Sequence, residues 1–305
     1  MLKHWCNPRA KARSSHMVLT VAVIAALAAL GTAAPALANF AQFAQCPTGS
    51  PGVEYCSFAQ TTSGEFSIGK TKVPINKTIT LQGGAIPTGT GAYFLFPAKN
   101  GESLSKTELN VPGGLLNIIN CEEITGEGFF EKGARALCKA TFENKTTGVT
   151  ATTELVATAT NPAILNTTNI LIESGTALTL PVRVHLKNPF LGNNCYVGSE
   201  SSPIQLHLTT GTTSPPAPNK PISGKAGTLA EEEEEILVIN ENSLVDNSFS
   251  TPTSEGCGEF LFIKGYLDSI VNKKLGLPSA AGNNTAILNG TLKIASANAV
   301  VKHGF

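Results

Sequence analysis

The stretch 178–208, LTLPVRVHLKNPFLGNNCYVGSESSPIQLHL, constrains the fold more than any other part of the chain. Near its start Leu180, Val182, Val184 and Leu186 alternate with Pro181, Arg183, His185 and Lys187. Near its end Ile204, Leu206 and Leu208 alternate with Gln205, His207 and Thr209. A period of two sends the apolar set to one face of a sheet and the polar set to the other. Two such strands predict an antiparallel sheet with a core face and a wet face. The loop that joins them carries Cys195.

The N-terminus reads as a leader. Lys3, Arg9, Lys11 and Arg13 form a basic lead, and 17–30 (MVLTVAVIAALAAL) is apolar and uncharged. Ala36-Leu37-Ala38 then matches the small-x-small rule for cleavage. The apolar core is shorter than the roughly 20 residues that span a bilayer. Residues 1–38 are therefore expected to be a signal peptide, with the mature chain starting at Asn39. Met17 offers a second start. No later stretch is long and apolar enough to span a membrane, and Cys46 lacks the context of a lipidated cysteine.

Removing the leader changes the balance of the chain. The whole sequence has 22 basic and 22 acidic residues, and four of the basic ones leave with it. The mildly acidic remainder has no basic footprint for nucleic acid or anionic lipid. Trp5 also leaves, so the mature protein has no tryptophan. Thr, Asn, Ser and Gly are abundant in what is left. An exported chain of this composition and size points to a mainly β fold, an antiparallel β-sandwich or two abutting β units.

Six cysteines remain at Cys46, Cys56, Cys121, Cys138, Cys195 and Cys257. An even number in an exported chain indicates disulfides. Fifteen connectivities are open; pairing neighbours in sequence gives Cys46–Cys56, Cys121–Cys138 and Cys195–Cys257. The close Cys or His pairs of a zinc site are missing.

Along the chain, 57–81 alternates, 82–91 (QGGAIPTGTG) reads as a loop by its glycines, and 93–96 is a compact strand. Residues 115–119 suit either a strand or a helical turn. Residues 138–142 and 149–157 look like two arms of a hairpin around Asn144-Lys145-Thr146-Thr147-Gly148. The Pro-rich 212–223 cannot be an interior strand; it is a rigid loop or a subdomain boundary within 39–305. The acidic run 231–235 reads as a solvated loop or edge, since it lacks the spacing of a calcium loop. One short C-terminal helix is expected at 266–275, with Leu267, Ile270, Val271 and Leu275 on one face, Gly276 as cap and Pro278 as stop. Asn289-Gly290 between Ala286-Ile287-Leu288 and Leu292-Lys293-Ile294 predicts a tight hairpin turn.

Chemistry is harder to find. Gly64–Thr71 fits G-x-x-x-x-G-K-[ST], yet the segment after it is β-like rather than helical, so a phosphate loop is rejected. No G-x-S-x-G elbow occurs. If the two strands of 178–208 pair, His185 and His207 come within reach of each other, with Glu200 or Asp246 as a carboxylate. His303 lies in a tail expected to fray. Glu122-Glu123 would face opposite ways on a strand, which disfavours a glycosidase pair. Tyr55, Tyr93, Tyr196 and Tyr266 are the only candidates for a sugar-stacking platform, and Tyr196 is expected to pack in the core. The N-x-[ST] sites at Asn76, Asn144, Asn166, Asn283 and Asn289 matter only in a glycosylating host.

Six phrases carry a resemblance: KVPINKTITLQGG (72–84), LSKTELNVPGGLL (104–116), LTLPVRVHLKNPFLGNNCYVGS (178–199), SPPAPNKPISG (214–224), SLVDNSFS (243–250) and KLGLPSAAGNNTAILNG (274–290). In these the chain resembles a family of uncharacterised secreted actinobacterial proteins. The resemblance implies export and a β-rich, disulfide-containing fold, and no catalytic residue; the run 231–235 departs from the family's uncharged, glycine-rich stretch. The expected role is that of a non-enzymatic extracellular or cell-envelope protein, structural or interacting. Its partners would be envelope components or other extracellular proteins, with no nucleic acid and no membrane span after cleavage. No catalytic, cofactor or metal residue is assigned. The rival readings are a hydrolase using His185 and His207, and a carbohydrate-binding module.

Overall fold

A computed structural model describes residues 39–89, 91–232, 235–259 and 264–305. The expected signal peptide, 1–38, lies outside the described residues. The fold is mainly β, and every pairing of its strands is antiparallel. The N-terminal half holds β1 (Tyr55–Ile68), β2 (Thr71–Ile75), β3 (Ile79–Pro87), β4 (Ala92–Phe96) and β5 (Glu108–Asn110). Next come β6 (Thr150–Leu155), β7 (Ile164–Asn166), β8 (Leu178–Lys187), β9 (Tyr196–Val197) and β10 (Ile204–Leu208). The last strands are β11 (Thr228–Glu232), β12 (Ile236–Asp246), β13 (Ser254–Glu255) and β14 (Thr285–Ser296). Among the described residues stand the helices α1 (Phe129–Glu143), α2 (Thr167–Ile172), α3 (Lys264–Leu275) and α4 (Ala297–Lys302).

The strands form one sheet that curls back on itself. Its path runs β11-β12-β14-β1-β3-β4-β7-β8, and β10 pairs with β8. Just past β10, Thr209 N donates to Val245 O at 2.9 Å and Val245 N donates to Thr209 O at 2.8 Å. That two-bond bridge ties β10 to β12. The two sides of the curl face each other like sandwich layers, yet they are one continuous sheet. Leu180, Val182, Leu206, Leu244 and Leu292 are buried in the core between them. A satellite core forms on the opposite face of β1, β12 and β14. There Cys56, Ile236, Val238 and Ala295 pack with Phe40, Phe43 and Val300 of α4.

The three bridges are Cys46–Cys56, Cys121–Cys138 and Cys195–Cys257. Helix α3 forms where its periodicity places it, with Leu267, Ile270, Val271 and Leu275 all buried and Gly276 turning at φ 74°. No helix among the described residues is long and apolar enough to cross a membrane. Strands on both sides of the Pro-rich 212–223 join the same sheet, and the segment is itself closed by a bridge between Thr212 and Ser223.

Several expectations fail, each for a local reason. Residues 138–142 are not a hairpin arm but the end of α1, where Ala134, Cys138 and Thr141 share one buried face. Five residues are too few to separate a period of two from one of 3.6. The glycines of 82–91 do not make a loop until after Pro87; a side chain at Gly84 would press on Val53, so glycine here serves close packing within β3. Asn289-Gly290 is no turn, because β14 runs straight through it. The register shifts on both neighbours lie opposite this point, at Thr61/Ser63 of β1 and Ile239/Asn242 of β12. A side chain at Gly290 would collide with the Gln60 carbonyl. Glycine meets the close approach of a bulge there, a use that shares its sequence signal with a turn. Of the two forms open to 115–119, the helical turn is the one found, as a 3-10 turn over Gly114–Asn117. The C-terminus does not hang free either: His303 stacks on Phe40 at 4.0 Å and lies 3.4 Å from Glu235.

Candidate functional site

The inward residues of this curl do not fill it. A cavity of about 90 Å³ lies between the layers, lined from β1 to β8, β10, β12 and β14, with Ile170 of α2. Ala59, Leu81, Leu95, Leu165, Leu180 and Leu292 are among its walls. A second space of about 50 Å³ adjoins it and shares Phe66, Leu109 and Thr153 with it. The second runs on toward Ile68, Val111, Val184 and Leu275. Neither lining contains Asp, Glu, Lys, Arg or His. The larger space is several times the roughly 10–15 Å³ that one water needs, but its walls offer few of the polar partners a water requires. Left empty, such a void costs about 2 kcal/mol at about 24 cal/mol per Å³.

The outer face of β8 is built the other way. Arg183 Nε and Nη2 both reach Glu154 Oε2 of β6 at 2.9 Å, because Glu154 and Arg183 are register partners. Arg183 Nη1 also lies 3.6 Å from Glu200. His185 pairs across the ladder with Thr152 on one side and Tyr196 on the other. Tyr196 roofs the group: its ring stacks on His185 at 4.3 Å, and the Arg183 guanidinium sits 4.3 Å from the ring centre. The face predicted to be wet is thus covered, and His185 is only 9% exposed. Burial pushes its pKa below the usual histidine value, with the Glu154 carboxylate opposing the shift.

Comparison with protein-family models, with curated proteins and with solved structures finds no match. Function has to be read from the site alone.

His185 and His207 are not brought together. His207 is the register partner of Thr179, so six residues of strand, about 20 Å, separate it from His185. Asp246 serves the His207 backbone, accepting from its N–H at 2.7 Å, and Ser248 N at 2.8 Å. Glu200 belongs to Arg183. Thr152, His185 and Glu154 are the residue types of a nucleophile, a base and an orienter, and sequence reasoning missed Thr152 and Glu154. Their only signal was register, which no local pattern supplies. Yet Thr152 Oγ1 and His185 Nε2 are buried with no hydrogen-bond partner, one another included. His185 Nδ1 lies 3.6 Å from Glu154 Oε1, too long for a hydrogen bond.

The remaining candidates are occupied structurally. Glu122 pairs with Lys139 at 3.1 Å and Glu123 with Lys274 at 2.7 Å, from a 3-10 turn over Cys121–Glu123. Tyr55 and Tyr93 meet edge to face at 76° rather than as one flat platform. Tyr196 has Arg183 and His185 stacked on it, and the Tyr266 hydroxyl donates to Glu123 O at 2.6 Å. Gly64–Thr71 is the β1–β2 hairpin, with Thr71 opening a strand. Of the acidic run, 231–232 lie in the edge strand β11, Glu235 pairs with Lys302 at 3.3 Å, and 233–234 fall outside the described residues. Among the described residues no three His, Cys, Asp or Glu side chains converge as metal ligands would.

Proposed function

We propose that the protein is an exported, non-enzymatic binding protein that holds one small apolar molecule inside the curled sheet. One observation carries this reading: a cavity of about 90 Å³ walled by eleven strands and α2, with mostly apolar side chains and no charged one. Native interiors pack with few voids larger than a water molecule, and a concave apolar space is the usual form of a small-molecule site. Export is supported by the leader-like 1–38 and by three disulfides, which persist in oxidising compartments. The same two features support an extracellular or envelope-associated location. A hydrolase built on His185 and His207 draws no support from imidazoles about 20 Å apart. A sugar-binding module draws none from tyrosines that are engaged with protein neighbours.

Calorimetric titration with decan-1-ol tests the proposal. The mature protein should bind one molecule saturably, and Leu180→Phe, which extends a cavity-wall side chain into the space, should abolish binding while the protein stays folded. Leu206→Phe serves as a second filling variant should the first fail to fold. Absence of saturable binding to the wild type overturns the reading.

A further inference from the structure

The cavity has two unlike ends, and their chemistry narrows what it accepts. Four of its six polar lining residues lie where the sheet bulges, Ser57 and Thr153 standing apart: Gln60 pairs with Thr291, Thr61 with Gly290, and Asn242 with Gly290. Thr61 follows Ala59 on the inward face by the period of two. Every polar group there is an uncharged amide or hydroxyl. At the other end Phe66, Leu109 and Thr153 also line the second space, which continues toward Ile68 and Val111. Thr61 and Phe66 are five residues apart on one strand, about 17 Å.

We infer that the ligand is an uncharged amphiphile with an unbranched alkyl tail, seated with its polar end at the Thr61–Asn242 bulge and its tail toward Leu109. This rests on the reading of the cavity as a ligand site. Two adjoining spaces that share Phe66, Leu109 and Thr153 as a common wall suit a flexible chain better than a fused ring. An alcohol, ester or amide meets the Thr61 hydroxyl at the bulge, beside the Asn242 amide, whose N–H donates to Ile239 O at 3.2 Å. A carboxylate or ammonium brought to the same place meets no opposite charge in either lining, and burying an unpaired charge is far more costly than burying a neutral polar group. The walls thus reject the ion and accept its neutral counterpart of the same length.

Titration of the mature protein with decan-1-ol, decanoate and decylammonium at neutral pH reads this directly. Decan-1-ol is expected to bind one per protein, at least tenfold more tightly than either ion. Thr61→Val, which removes one hydroxyl at nearly constant shape, should weaken decan-1-ol about two- to tenfold, the range of a single hydrogen bond, and leave the melting temperature unchanged. Equal or tighter binding of either ion overturns the inference while the ligand-binding reading stands. Undiminished binding of decan-1-ol by Thr61→Val overturns the placement of the polar end. If none of the three binds, the ligand-binding reading falls and the inference with it.

Discussion

The two faces of β8 solve opposite problems. Inward, Leu180 and Val182 meet the far layer across a space they do not fill. Outward, Arg183 and His185 are polar residues in a place that ought to be wet, yet Tyr196 lies over them both. The apolar face is under-packed and the polar face is roofed. The difference teaches that alternation records which side chains share a face, and says little about how well that face is covered. The polar side is covered because a disulfide-tethered segment lies over it. On the apolar side, the spacing of two layers is set by strands far apart in sequence.

The largest expected effect tests the roof. Cys195 precedes Tyr196, its carbonyl accepts from Leu186 N at 2.8 Å, and its bridge to Cys257 closes a separation of 62 residues. Replacing both cysteines by alanine should cost about 4 kcal/mol in the chain-entropy account, read as a lowered denaturant midpoint. It should also expose His185 to modification while cavity binding persists in the folded fraction. A variant as stable as the wild type would show that the roof holds without its tether. Next in size, Glu154→Ala strands the part-buried Arg183 guanidinium and should cost about 2 kcal/mol. A double cycle with Arg183→Leu should recover part of that cost; independent losses would mean the pair is not coupled.

How much of this was legible in the sequence follows from range. Alternation in β8 and β10 and the single apolar face of α3 are local, and both are where the pattern puts them. Asn289-Gly290 misleads because a bulge and a turn ask the same thing of glycine, and only the partners β1 and β12 tell them apart. His185 and His207 looked adjacent because pairing was read without register; the register puts His207 opposite Thr179. Nothing in the sequence marks the cavity. Leu180, Leu206 and Leu292 repeat the pattern of a filled core, and the gap between them is a property of the whole curl.

A smaller effect sharpens the contrast on the outer face. Thr152 Oγ1 is buried without a partner, so Thr152→Val should stabilise by about 1 kcal/mol by removing an unsatisfied group; a loss of similar size would reveal an internal water bound there. The smallest effect is the pH slope from His185. Its folded pKa is depressed by burial, so the unfolded chain takes the proton first. Stability from this group is complete above the ordinary histidine value of about 6.5 and declines as pH falls below it. His185→Phe keeps a ring under Tyr196 and should flatten the part of the slope that lies above the carboxylate range. An unchanged profile would place the titration on another group.

The central claim is that the curled sheet encloses an apolar space open to a guest, and xenon reports on that most directly. Xenon has no charge and no hydrogen-bonding capacity, and it settles in dry cavities lined by leucine and isoleucine. Crystals of the mature protein held under xenon should show the atom between Leu180 and Leu292. An interior free of xenon, with wall side chains meeting across the gap, would contradict the account.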